Sequence, residues 1–200
     1  MIASRTEIKA ILKITASTDD NLIDQLIPLI EDDIREFCNN NFADKNVYLI
    51  SGDISFTHNS TSADTINLDI SANEDGFTEA QFKAGQTVQV EGSYNNNNFF
   101  EIESVSSTAL TLYTGDDRPY YPELVTEDED VLVRITKVDY PDALKLSVAQ
   151  MCKYKLSTYD YSVKSEQVSR YRVEYNQDLD NGYPTSLMTG LKRWRRPVLV

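Results

Sequence analysis

Hydrophobic positions recur with two different periods along this chain, and the change between them divides it into three parts. Over residues 4–42 the period is helical. Ser4 and Glu7 have the spacing of a capping box, and Ile8, Ile11 and Leu12 follow at helical intervals. Residues 15–18 interrupt the pattern. Asp19 or Asp20 is placed to cap a longer helix. In it Ile23, Leu26, Ile27, Ile30, Ile34, Phe37 and Cys38 form one apolar stripe, with Glu31, Asp32, Arg35 and Glu36 on the other face. Pro28 lies within that stripe and predicts a kink or a break. Asn39-Asn40-Asn41 predicts the end.

Over residues 46–137 the helical period gives way to short alternating runs separated by Gly, Asn, Asp and Ser. Strands are predicted at 65–70, 86–91, 99–105, 109–113 and 131–138, with weaker signals at 47–50 and 54–57. Val88 and Val90, Phe100 and Ile102, Leu110 and Leu112, and Val131, Val133 and Ile135 each alternate with polar neighbours, so each strand has one buried and one wet face. Residues 92–98 form a turn. The expectation is a small antiparallel β-barrel or sandwich. Residues 141–200 return to helix. Pro141 suits a helix start, and Leu144, Val148, Met151, Cys152 and Leu156 form its stripe. The tyrosine-rich stretch 157–175 reads as an extended arm or strand, and Asp180-Asn181-Gly182 as a turn. Pro184 opens a last short helix carrying Leu187, Met188, Leu191 and Trp194, which Pro197 stops. The fold class is therefore α+β: a small helical bundle over 1–45 and 138–200 with an inserted β domain at 46–137.

Composition adds a few constraints. No run of about 18 apolar residues is present, so no membrane span is predicted. The start of the chain lacks an apolar signal core, which argues against secretion. Cys38 and Cys152 are far apart and lie among apolar residues at helical spacing, which predicts two buried thiols rather than a disulfide. Charge changes the picture more. The net formal charge is −13, yet Lys192, Arg193, Arg195 and Arg196 fall within five residues of one another. Residues 1–191 alone carry 15 basic against 32 acidic side chains. Such an acidic body disfavours non-specific binding to nucleic acid.

Candidate chemistry is sparse. His58 is the single histidine and sits in a Ser/Thr/Asn-rich segment, where it reads as a solvated loop residue without the partners a general base needs. Residues 71–76 resemble the first half of a calcium loop, but Ser71 stands at the first ligand position and Phe82 at the twelfth, so an ordinary turn is expected. The run Glu127-Asp128-Glu129-Asp130 reads as a solvated loop before a strand. No catalytic, metal or cofactor site is predicted. The basic cluster is the sharpest feature. Helix-dipole compensation accounts for one or two cations. It does not account for four around Trp194, followed by Pro197 and the apolar Val198, Leu199 and Val200. Exposed Trp, Arg and aliphatic side chains are what interface anchors are made of, and a chain end of this kind has little to bury itself against in a free monomer.

The order of elements resembles a family. Ile8 to Ile14, then Asp19-Asp20-Asn21-Leu22 leading to Ile34-Arg35-Glu36-Phe37-Cys38 and Phe42, is similar to the opening of bacteriophage head–tail connector (adaptor) proteins. Lys164-Ser165-Glu166 followed by Tyr171, Val173 and Tyr175 resembles them too, as does the ending with Gly182-Tyr183-Pro184, Leu187, Leu191 and Arg193 to Arg196. The resemblance lies in 5–42 and 141–200; the β insertion departs from the compact members. It implies a structural, non-enzymatic subunit of the virion, assembled in the host cytoplasm and placed at the head–tail junction. It implies a ring of about twelve copies, a portal protein above, a neck or tail protein below, and genomic DNA passing through without specific binding. Within that reading Lys192, Arg193, Trp194, Arg195, Arg196, Pro197, Val198, Leu199 and Val200 are the portal-binding segment. The other reading is a carbohydrate- or nucleic-acid-binding module on the β domain, for which Tyr94, Phe99, Tyr113, Tyr120 and Tyr121 supply aromatic candidates.

Overall fold

The structure is a computed structural model and describes residues 1–70, 75–113, 122–128, 131–157, 165–168, 171–174 and 179–197. The chain divides into two compact units. One comprises Met1 with residues 41–140, and the other residues 2–40 with 141–200.

The second unit is helical. Helix α1, Arg5–Leu12, begins with the predicted capping box: Glu7 N–H donates to Ser4 Oγ at 3.3 Å, and Ser4 N–H to Glu7 Oε2 at 2.9 Å. Helix α2, Asp20–Cys38, takes Asp19 at its N-cap, although without a side-chain capping bond. Pro28 does not break it. The stripe Ile23, Ile27, Ile30 and Ile34 runs past the proline and is at most 3% exposed, and burying each such side chain contributes about 2 kcal/mol. That outweighs the roughly 3 kcal/mol a helix-interior proline costs. Helix α3, Ala143–Leu156, buries Leu144, Val148, Ala149, Met151 and Cys152 against α1 and α2.

The all-β unit contains seven strands: β1 Ala43–Ser51, β2 Ile54–Thr57, β3 Thr65–Leu68, β4 Thr87–Glu91, β5 Phe99–Val105, β6 Ala109–Leu112 and β7 Val133–Val138. They form one antiparallel sheet in the order β1-β7-β4-β5-β6-β3-β2. Thus the strands make one sheet rather than the two stacked layers of a sandwich. Both outer strands, β1 through Leu49 and β2 through Ile54 and Phe56, contribute to the same core as Val88, Phe100, Leu110 and Ile135. A flat sheet cannot bring its two margins into one core, so this sheet is curled. Its outer strands are also joined directly by Gly52 and Asp53. Among the described residues no β1–β2 ladder closes it into a barrel. Gly92 ends β4 with φ +91°, and a Cβ there would lie 2.5 Å from the Leu132 carbonyl oxygen.

In the last 45 residues, the stretch read as an extended arm or strand holds two paired strands, β8 Ser165–Val168 with β9 Tyr171–Glu174; Tyr175 and residues 158–164 lie outside the described residues. The turn at Asn181-Gly182 is present, with both φ values positive (+51° and +76°), and joins β10 Leu179–Asp180 to β11 Tyr183–Pro184. The last helix is shorter than predicted. Helix α4 covers Thr185–Thr189, and a separate 3-10 turn covers Lys192–Trp194. Gly190 lies between them.

Candidate functional site

The segment 190–197 carries the basic cluster, and it does not hang free. Met188 and Leu191 are fully buried within the helical unit. From that anchor the 3-10 turn leads to the C-terminus of α2, whose last carbonyls lack helical donors. Arg196 N–H donates to the Cys38 carbonyl at 2.8 Å. Asn40 Nδ2 donates to the Trp194 carbonyl at 3.2 Å, and Cys38 Sγ approaches the Leu191 carbonyl at 3.7 Å. The Arg195 guanidinium lies 5.6 Å over the Phe37 ring, and that of Arg193 lies 4.8 Å over Trp194. The side chains of Lys192, Arg193, Arg195, Arg196 and Pro197 are exposed, so they bury little, but the backbone is tied to α2 through Arg196 and Asn40. Asn39-Asn40-Asn41 was legible as a helix end; its second role, holding Trp194 through Asn40, was not.

The anchoring fixes the backbone and leaves the charges outward. Lys192, Arg193, Arg195, Arg196 and Pro197 are exposed, and Trp194 is half-buried. The Arg195 guanidinium, over Phe37 in the last turn of α2, stands at the negative end of that helix dipole. Burial pushes the Cys38 thiol up, opposed by the charge of Arg195. Val198, Leu199 and Val200 lie outside the described residues.

Nearby, Tyr183 is buried and its hydroxyl donates to Asp33 at 2.8 Å. Burial and the Asp33 carboxylate together hold its phenol above the ordinary range. Cys152 is pushed up to about 12 by burial. Both cysteines are free, buried thiols.

The remaining candidates fall in the β unit. His58 is an exposed loop residue, as expected, but it has a partner, with Nδ1 3.0 Å from Asp64 Oδ1. Asp64 also accepts Asn59 N–H at 2.8 Å and Leu124 N–H at 2.9 Å, so it ties its own β2–β3 loop to the segment around Leu124. Glu127, read as solvated, is buried. It accepts from Tyr94 N–H, Ser93 Oγ, Asn96 Nδ2 and Asn95 N–H at 2.8, 2.9, 3.0 and 3.1 Å. Burial raises its pKa, but these four bonds outweigh that and leave it below the ordinary value. The Asn-rich turn needs an acceptor for its inward donors, and this carboxylate supplies it. Glu129 and Asp130 lie outside the described residues, as do Ser71, Asn73 and Glu74 of the calcium-like stretch. Among the described residues no group of three or more His, Cys, Asp or Glu is arranged to hold a metal. Of the aromatic candidates, Tyr94 is exposed, Phe99 and Tyr113 are half-buried, and Tyr120 and Tyr121 lie outside the described residues.

Residues 4–106 match the family model of the phage gp6-like head-tail connector proteins. The chain belongs to this family. The match runs from α1 through β5, so it takes in much of the β unit that the sequence set apart as an insertion. It does not reach residues 141–200, where the other half of the resemblance was read. No curated protein and no solved structure matches the chain. Head–tail connectors are structural proteins, and this connector is not an enzyme. No described helix is long and apolar enough to cross a membrane.

Proposed function

We propose that this connector is the subunit of a ring of about twelve copies that docks beneath the portal, extends the DNA channel and links the capsid to the tail or neck. Its partners are neighbouring copies, the portal above and a neck or tail protein below. Genomic DNA passes through without specific binding. The subunit assembles in the host cytoplasm and acts at the head–tail junction of the virion. The family match is the observation that carries this reading. The distribution of charge agrees with it. Residues 41–140 hold 18 acidic and 5 basic side chains, which accounts for the whole net charge of −13. The rest of the chain is balanced, at 14 of each. A channel lined by the acidic part repels phosphates and lets the genome pass without sticking. The same charge opposes a nucleic-acid-binding role for the β unit.

Residues 192–200 are the portal-docking element in this proposal. Four outward cations on a backbone pinned to α2 present a fixed basic patch, and a ring repeats it so that weak contacts sum by avidity. The test is joining to DNA-filled heads. Arg193→Glu, Arg195→Glu and Arg196→Glu together weaken joining in a salt-sensitive manner, and Trp194→Ala weakens it in a salt-insensitive one. Charge reversal without effect on joining sinks the docking role. Cryo-EM of the neck showing one copy of the protein, or none, sinks the ring.

A further inference from the structure

Two of the helices expose leucines, flanked by polar and charged residues, that the fold leaves uncovered. On α2, Leu22, Gln25, Leu29, Asp32 and Glu36 share one exposed face, with Leu22 and Leu29 at 45% and 60% exposure. On α3, Ala143, Leu146, Gln150 and Lys153 do the same, with Leu146 at 52%. The first four positions on α2 and the four on α3 share one spacing, three, four and three residues. They differ in sign: the α2 stripe ends in two carboxylates, of which Asp32 also pairs with Arg35 on its own helix, and the α3 stripe ends in an ammonium.

The two helices also stand in step. Arg5 of α1 pairs with Asp24, and Glu7, two residues on in the same helix, pairs with Lys145 at 2.9 Å. Asp24 and Lys145 therefore lie near the same end of α1, at about one level. Farther along, Tyr183 donates to Asp33 at 2.8 Å while its ring lies 6.0 Å from that of Tyr154, which sets those two residues level. Nine residues separate each pair, so α2 and α3 run in the same direction in register. Leu146 is then level with Gln25, midway between Leu22 and Leu29, and Lys153 is level with Asp32.

Rotation about an axis running with the helices preserves these levels. We infer that neighbouring copies meet through these stripes, the α2 face of one against the α3 face of the next. This rests on the ring reading and names its contact. Leu146 of one copy enters the gap of about 10.5 Å between Leu22 and Leu29 of its neighbour, and Lys153 meets Asp32 and Glu36. The two faces are different surfaces of one subunit, as a head-to-tail ring requires. An antiparallel approach would set Lys153 against Leu22 and is disfavoured.

The test is a charge swap within the full chain, read as copies per neck in cryo-EM of particles. The double variant Asp32→Lys with Glu36→Lys, and separately Lys153→Glu, lower ring occupancy about tenfold by placing like charges across each contact. The triple variant restores occupancy, because every contact again pairs opposite charges. All three side chains are exposed, and unchanged helical circular dichroism verifies that each variant folds. Parent-like occupancy in both single-face variants overturns this interface and leaves the ring intact. A triple variant no better than the single-face ones overturns it as well. A parent protein found at one copy overturns the ring and this contact together.

Discussion

Replacing Glu127 by alanine removes one acceptor from four converging donors, and the structure sets the size of the effect. Tyr94 and Asn95 are exposed, so water can take over their N–H groups. Ser93 and Asn96 are 5% and 2% exposed and cannot be rescued in this way. Asn96 keeps one amide bond, to the Val125 carbonyl at 2.9 Å. Stranding a buried donor costs about 1–3 kcal/mol, so two of them give about 3 kcal/mol in all. For a unit of roughly 100 residues that lowers the midpoint of thermal unfolding by on the order of 15 °C. Glu127→Gln should fall between, since its amide oxygen still accepts while its NH2 faces other donors. The assay is thermal unfolding followed by far-ultraviolet circular dichroism, with amide exchange at Tyr94 and Asn95 as the local probe. The lowered pKa adds a second signature. Because the folded carboxyl lies below its ordinary 4.5, its stabilisation is present above that pH and is lost as pH falls through the folded value. The parent should therefore lose stability below pH 4.5 more steeply than Glu127→Gln. A midpoint shift for Glu127→Ala of under about 3 °C, with amide protection unchanged, would refute the reasoning.

Three further outcomes are expected. Gly92→Ala should destabilise the β unit by about 2 kcal/mol or more, since it adds left-handed strain to a backbone clash with Leu132; a denaturant midpoint equal to the parent's would contradict this. Replacing residues 47–137 with a short Gly/Ser linker should leave the helical unit folded, because the ends of the replaced stretch are already paired through Ala43 and Val138; loss of the helical circular dichroism would count against separable domains. Cys152, with its thiol at about 12, should resist alkylation at pH 8 in the folded protein and react only on unfolding, as mass spectrometry of modified peptides would show.

Where period and burial coincide, the sequence was enough to place the elements. The capping box at Ser4, the isoleucine stripe of α2 and the alternation of Val88 with Val90 each follow from neighbours in the chain. Glu127 was not legible, because its donors lie more than 30 positions away and a carboxylate in an acidic run looks the same whether solvated or buried. The contact between Arg196 and Cys38 was hidden for the same reason: it joins residues 158 positions apart. Leu22, Leu29 and Leu146 fall off the apolar stripes that the period defines, and the structure leaves them exposed. The helix tightens after Thr189 into i→i−3 bonding, Leu191 N–H to the Met188 carbonyl at 3.0 Å, while Gly190 keeps right-handed helical angles.

The pairing of Ala43 with Val138, and of Asp139 N–H with the Phe42 carbonyl at 2.9 Å, sets an order of events during synthesis. α2 leaves the ribosome about 100 residues ahead of α3, and the helical core stays open until α3 arrives. If the intervening chain is still unfolded, bringing the two helices together closes a loop of that length. If the seven strands have already formed, the effective loop shrinks to the few residues flanking the paired ends. By the logarithmic dependence on loop length, the difference is roughly 2 kcal/mol in favour of folding the sheet first. The nascent chain is thus biased to complete its middle before its beginning, and the amphipathic α2 waits with its isoleucines exposed until then.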